Sequence, residues 1–254
     1  MTLAQRFAGR SVLVTGGASG IGRATALALA REGALVTIGD LDGEGGQTVV
    51  AEINALGGKA LFQRADATVE GDIAALVAAA VATHGPLAHA FNNVGLSRHG
   101  GMEDMSRQDW DWTLAVSLTS VFLSMKHELP VMAARGGGSI VNTASMSGKI
   151  VTPVASPAYC AAKAGVVHLS AYAAHSHAAK GIRVNSVSPG LVATPIVALM
   201  LTPEQQVAVA SGSQLIGRAV TPDEVAATVL FLLSDDAAMI TGTDTEVCGG
   251  RRQG

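Results

Sequence analysis

The chain has 254 residues, 48% of them hydrophobic and only 15% charged, with a formal net charge of −3. A pI near 6.1 and a mean hydropathy of +0.36 exclude the basic footprint of a nucleic-acid binder, yet no run reaches the roughly 18 unbroken apolar residues of a membrane-spanning helix. So much core material with so little charge predicts surface buried between subunits. Cys160 and Cys248 are too few for a disulfide framework. Reduced thiols, and an N-terminus (MTLAQRFAGRS) without an apolar signal region, predict a cytoplasmic protein.

Short apolar runs alternate with alanine-rich helical runs along the chain. SVLVTG (11–16) reads as a buried strand, IGRATALALAREG (21–33) as a helix closed by Gly33, and ALVTIGD (34–40) as the next strand. A helix near 43–57, a strand at 59–66, a helix over 69–84 and a strand at 87–93 follow. A long helical region is expected over 106–134, then GSIVNTAS (138–145) as a strand, with the glycines at 136–138 ending the helix. The remainder reads as a helix over 156–180, a strand at 181–189, helical material near 195–210 and 223–234, and a last strand in 243–250. Strands this short and apolar, each followed by a helix, predict an α/β doubly wound Rossmann fold with about seven parallel strands covered on both faces. The expectation is a single domain over 1–254, with a cofactor half at about 1–150 and a catalytic and substrate half at about 151–254.

VTGGASGIG (14–22) follows the first strand and opens the first helix. Gly16, Gly20 and Gly22 would allow a tight turn and close approach of backbone to a diphosphate, while the helix N-terminus offers N–H groups and partial positive charge. Asp40 ends the second strand, where a carboxylate would accept hydrogen bonds from an adenosine ribose and repel a 2′-phosphate. No arginine or lysine occupies 33–46, which favours NAD over NADP. The plainer alternative is that Asp40 only caps a helix. Farther on, SPAYCAAKAG (156–165) sets Tyr159 and Lys163 four apart, on one face of a helix; alone, such a pair is often only amphipathic cover.

The segments Thr15 to Gly22, Asp66 in RADAT, Asn92-Asn93-Val94-Gly95, SIVNTAS with Ser145, Tyr159 with Lys163, and Pro189-Gly190 with Thr194 occur in an order that closely resembles the short-chain dehydrogenase/reductase family. The likeness runs from about Gly9 to Gly250, with Val94 where that family has alanine. It implies an NAD(P)-dependent oxidoreductase of alcohols and ketones, assembled as a homotetramer or homodimer through 106–134 and 156–180. Small residues such as Ala161, Ala162, Ala164 and Gly165 would then permit close helix packing.

By the same resemblance the cofactor would meet Gly16, Ser19, Gly20, Ile21 and Gly22 at the turn, Asp40 and Leu41 after the second strand, and Asp66 and Ala67 on the adenine side. Asn92, Val94 and Gly95, then Tyr159 and Lys163, then Pro189, Gly190, Val192 and Thr194 complete that set. Tyr159 would be the general acid/base and Ser145 would fix the substrate oxygen, with Ser147 and a plain turn serine as alternatives. A phenol's ordinary pKa near 10 is high for a base at neutral pH, so Lys163 would draw it down.

One departure is Ser117, where the family usually has asparagine; serine can bond back to the preceding turn and bend a helix, or can simply pack. It is counted with Ser145, Tyr159 and Lys163 as a catalytic candidate, and Ser117→Asn is expected to leave activity within about tenfold. Two segments, 95–104 and 191–212, would line the substrate pocket. The second is strongly apolar, with Leu199 and Met200, and together with Val151 and Val154 it suits an apolar or aromatic alcohol or ketone; Ser97 and His99 are further candidates. Cys160 and Cys248 read as packing, and His175 and His177, two apart on a helix, make a poor metal pair, so no metal is expected. The rival readings are a non-catalytic dinucleotide-binding regulator and an epimerase or dehydratase of the same family.

Overall fold

The computed structural model describes residues 5–151 and 155–251; Val154 lies outside them. The strands are β1 (Ser11–Thr15), β2 (Leu35–Asp40), β3 (Lys59–Arg64), β4 (Leu87–Asn92), β5 (Gly138–Thr143), β6 (Ile182–Pro189) and β7 (Asp244–Val247). They form one seven-stranded sheet in the order β3-β2-β1-β4-β5-β6-β7, every neighbouring pair parallel. This is the doubly wound architecture expected of such strands. After β3 the chain returns to the middle of the sheet and lays β4 against β1. The winding reverses there, which opens a crevice at the C-terminal ends of the strands.

The helices are α1 (Gly20–Arg31), α2 (Gly43–Ala55), α3 (Glu70–His84), α4 (Arg107–Leu114), α5 (Ser120–Arg135), α6 (Pro157–His177), α7 (Pro195–Ala198), α8 (Pro203–Ser213) and α9 (Pro222–Leu233). The strand period of two divides the core between two faces. On β1, Val12 and Val14 join one buried cluster with Leu29 of α1, Val49 of α2 and Val229 of α9. Leu13 points the other way, into a second cluster with Leu76 of α3, Met132 of α5 and Val166 of α6. Burial on both faces is why the strands read as apolar runs.

Two expected helices are divided. The region 106–134 carries a π-helical turn, Ala115–Thr119, between α4 and α5, and such turns concentrate at functional sites. The stretch 195–210 breaks after Leu199 because Thr202 starts α8 with a reciprocal cap to Gln205 and Pro203 takes the first helical position. Gly136, at φ 92°, ends α5 in the left-handed conformation. No helix among the described residues is long and apolar enough to cross a membrane.

Candidate active site

The glycine turn joins β1 to α1 with almost no free space. Gly16 and Gly20 hold φ of 63° and 51°, open to glycine at little cost. Gly22 is needed for another reason: a Cβ there would lie 2.0 Å from the Gly16 carbonyl oxygen. Ser19 makes no side-chain cap to α1, and the first turn of that helix carries no acid. By contrast α2, α4, α6, α8 and α9 are all capped by their own side chains. The first N–H groups of α1 are thus left for an anion.

Asp40 stands at the end of β2 with both oxygens fixed, Oδ2 by the Ala18 N–H and Oδ1 by the Asp42 N–H, each at 3.0 Å. The cap of α2 is Asp42, not Asp40, so the helix-cap alternative for Asp40 falls away. Asp66 accepts from the Thr68 N–H at 2.8 Å and the Thr68 hydroxyl at 2.7 Å. Asp40, Asp42 and Asp66 all border one end of a cavity of about 560 Å³, and Lys163 is the single Lys or Arg among its lining residues.

Most of the expected cofactor residues line this cavity. Gly16, Ser19, Gly20 and Ile21 do so at the turn, Leu41 and Ala67 at the acidic end, and Val94 and Gly95 after β4. Pro189, Gly190, Val192 and Thr194 close it from β6. Asn92 is a correction. It lies 1% exposed within the core, where its Nδ2 donates to Glu128 Oε2 and Asn142 Oδ1, each at 3.0 Å. Its neighbour Asn93 faces the cavity instead, with Nδ2 on the Gly16 carbonyl at 3.1 Å and its own N–H on Thr15 Oγ1 at 3.2 Å. Gly22 likewise packs behind the turn rather than lining the space.

The far end gathers Ser145, Tyr159 and Lys163 on the same wall. Ser156 caps α6 by accepting from the Tyr159 N–H at 3.2 Å, and Pro157 presets the first helical turn. Tyr159 and Lys163 then project one turn apart. Lys163 is 1% exposed and donates from Nζ to the Thr143 carbonyl at 2.7 Å. A Cβ at Gly95 would lie 2.6 Å from that Nζ, so a larger residue there would displace the ammonium from this position.

Burial pulls the Lys163 pKa down to about 8. The Tyr159 phenol moves up: burial raises it most, a hydrogen bond with Ser145 opposes the shift, and Cys160 adds slightly to it. This corrects the expectation that Lys163 draws the phenol down. The ammonium is turned to the Thr143 carbonyl, its Nζ 5.6 Å from the centre of the Tyr159 ring, and desolvation of the phenolate is the stronger effect.

Ser117 sits in the π-helical turn, fully buried. It does not bond back along its own helix; Ser120 does that, to the Val116 carbonyl. Ser117 Oγ instead donates to the Leu96 carbonyl at 2.6 Å and accepts from the Leu96 N–H at 3.0 Å. It pins the first residue after Gly95 and does not itself line the cavity.

The substrate candidates divide. Ser145 and Tyr159 face the cavity; Ser97, His99, Val151, Leu199 and Met200 do not. Val151 is 97% and Leu199 87% exposed. Ser97 shares a hydrogen bond with Ser156 at 2.8 Å, and His99 is exposed. The apolar wall comes instead from Leu96, Trp112, Val116, Ile196 and Val197. Of these, Leu96 lies in the first of the two segments that the sequence singled out and Ile196 and Val197 in the second; Trp112 gave no signal beyond being one of two tryptophans.

Comparison with known proteins bears on this geometry. Residues 16–252 match a family model described as enoyl-(acyl carrier protein) reductase. A cyclohexanol dehydrogenase of Acinetobacter sp. (strain SE19) is 44% identical over 248 residues, 97% of this chain and 96% of that protein. A 2,5-dichloro-2,5-cyclohexadiene-1,4-diol dehydrogenase of Sphingobium indicum is 41% identical over 248 residues, 98% of each. Among solved structures, levodione reductase superimposes with a TM-score of 0.90 at 35% identity, covering 96% of this chain and 97% of that one.

Proposed function

We propose, from the premise that this chain belongs to the short-chain dehydrogenase/reductase family, that it interconverts a secondary alcohol and a ketone by hydride transfer to NAD or, in reverse, from NADH. It is an oxidoreductase of a nicotinamide dinucleotide. The observation that carries the proposal is one cavity with two chemically distinct ends. Gly16, Gly20 and the uncapped start of α1 lie toward Asp40 and Asp66; Ser145, Tyr159 and Lys163 lie opposite.

The residues fit such a dinucleotide. Its diphosphate would rest on the N–H groups at the start of α1, and its adenosine ribose would bond to Asp40. A 2′-phosphate would meet Asp40, Asp42 and Asp66 with no Lys or Arg at that end of the cavity, which supports NAD over NADP. When bound, the nicotinamide takes up or gives the hydride. The chain's own groups handle the rest. Ser145 donates a hydrogen bond to the substrate oxygen and holds it. Tyr159 accepts the hydroxyl proton in oxidation and returns it in reduction. Lys163, held by the Thr143 carbonyl, would set a positive charge beside the phenol and the ribose. Because burial raises the phenol's pKa, Tyr159 is protonated at neutral pH, the form that ketone reduction needs. Alcohol oxidation should therefore quicken as pH rises.

The relatives named for cyclohexanol and a cyclohexadienediol, with a wall of Leu96, Trp112, Val116, Ile196 and Val197, support an alicyclic alcohol or ketone as substrate. Assembly would run through α5 and α6, whose Phe122 and Tyr172 are 48% and 67% exposed. The test is absorbance at 340 nm with a panel of cyclic secondary alcohols, offering NAD and NADP side by side. Turnover with NAD is expected, and Tyr159→Phe should lower kcat by about a thousandfold or more. A Tyr159→Phe protein as active as the wild type would overturn the mechanism.

A further inference from the structure

The turn that carries Ser145 is fixed from two sides. Ser145 accepts from the Ser147 N–H at 3.1 Å and opens a 3-10 turn, Met146–Gly148. On its inner side the turn rests on the catalytic helix: a Cβ at Gly148 would lie 2.6 Å from both the Ala164 nitrogen and the Lys163 carbonyl carbon. On its outer side Lys149 reaches the last strand. Its Nζ lies 2.8 Å from Asp244 Oδ2 and 2.8 Å from Glu246 Oε1.

The receiving carboxylate is itself held. The Asp244 side chain is only 6% exposed and also accepts from the Ser186 hydroxyl at 2.6 Å and the Ser188 hydroxyl at 2.8 Å, both on β6. Glu246 is braced by Arg251 at 3.0 Å. An isolated surface pair fixes little. A carboxylate already aimed by two hydroxyls gives the ammonium one place to go. The backbone bonds from the Lys149 and Ile150 N–H groups both end on the Met146 carbonyl, at 2.9 Å. They close the turn on itself without tying it to the sheet.

We propose that Lys149 is a positioning residue: its ion pairs with Asp244 and Glu246 tie the Ser145 turn to β7 and so aim the Ser145 hydroxyl at the substrate oxygen. This rests on the reading that Ser145 holds that oxygen. Gly148 stops the turn moving inward, and Lys149 stops it swinging out.

The experiment compares Lys149→Met, Lys149→Gln and Lys149→Arg with Ser145→Ala, measuring alcohol kinetics and, by calorimetry, NAD affinity. Lys149→Met and Lys149→Gln should each lose about tenfold in kcat/KM for the alcohol, mainly in kcat. NAD affinity should stay within about twofold of wild type, and Lys149→Arg should recover most of the loss. Adding Asp244→Asn to Lys149→Met should cost little more, since the pair acts as a unit. A Lys149→Met or Lys149→Gln enzyme with wild-type kcat/KM, beside an impaired Ser145→Ala, would sink the proposal. So would a parallel loss of NAD affinity, which marks a general structural role. If Ser145→Ala is itself fully active, the reading of Ser145 fails first and this proposal falls with it.

Discussion

The phosphate turn and the segment from Leu191 to Ser213 face the same cavity, but they keep their shapes by different means. At the turn, backbone meets backbone: Gly22 has no room for a single carbon beside the Gly16 carbonyl, and Asn93 bonds that same carbonyl. In the second segment the chain breaks its helix after Leu199 and restarts it at Pro203, and several of its apolar side chains stand in solvent. The first region is specified by sterics, which tolerate one residue type. The second is specified by side-chain aim, which tolerates many.

The sharpest way to break that contrast is Gly22→Ala. The added carbon would sit 2.0 Å from the Gly16 oxygen and 2.9 Å from Asn93 Nδ2, and backbone cannot yield as a side-chain tip can. Displacing α1 would pull its N–H groups off the diphosphate. Calorimetric affinity for NAD should fall by about a hundredfold or more, about 3 kcal/mol. A Gly22→Ala protein that binds NAD as the wild type does would show that the turn has slack after all.

Beneath the turn the rigidity continues as a buried polar network. Asn92 donates to Glu128 and Asn142, and Asn142 donates to Ser170 at 2.9 Å. Glu128 Oε1 and Asn92 Oδ1 are both buried acceptors with no donor among the described residues. Protonation of Glu128 spares the network an unpaired buried negative charge. Burial raises its pKa from 4.5 to about 7, against the opposing bond from Asn92. Since the folded value exceeds the unfolded one, this acid's contribution is full below about pH 4.5, fades as pH rises toward 7, and is gone above it. The loss is on the order of 3 kcal/mol. Glu128→Gln keeps the acceptor and adds a permanent donor. Its Tm should therefore stay level between about pH 5 and about pH 8, while the wild type's falls by several degrees. Parallel melting curves for the two proteins would place the pH sensitivity elsewhere.

The same division decides what could be read in advance. Sheet and helices were legible because strands buried on both faces must be apolar throughout, and the glycine turn was legible because sterics leave no substitute. Asp40 was legible from its place at the end of β2. Asn92 and Asn93 were not separable by motif alone: adjacent residues at the end of a strand point to opposite faces, and only the sheet shows which is which. The π-helical turn was hidden because Ser117 bonds to Leu96, 21 residues away, a partner no local pattern names. The direction of the Tyr159 shift was misjudged for a related reason. Spacing put a lysine near the phenol, but it could not show that Nζ turns to the Thr143 carbonyl or that burial is the stronger influence on the phenol.

The smallest effect belongs to the exposed segment. Leu199 is 87% and Met200 54% exposed, and neither lines the cavity, whereas Ile196 and Val197 do. Leu199→Ser should therefore change kcat/KM for a cyclic alcohol by no more than about twofold, while Ile196→Ser, which removes apolar surface from the wall, should raise KM several-fold. The informative reversal is a rise in KM of about tenfold for Leu199→Ser with kcat held. Leu199 would then have to reach the substrate in the working enzyme, which from its exposed position requires the segment to fold inward over the cavity. The contrast between the two regions would become one of motion, a fixed turn opposite a closing wall, rather than one of packing alone.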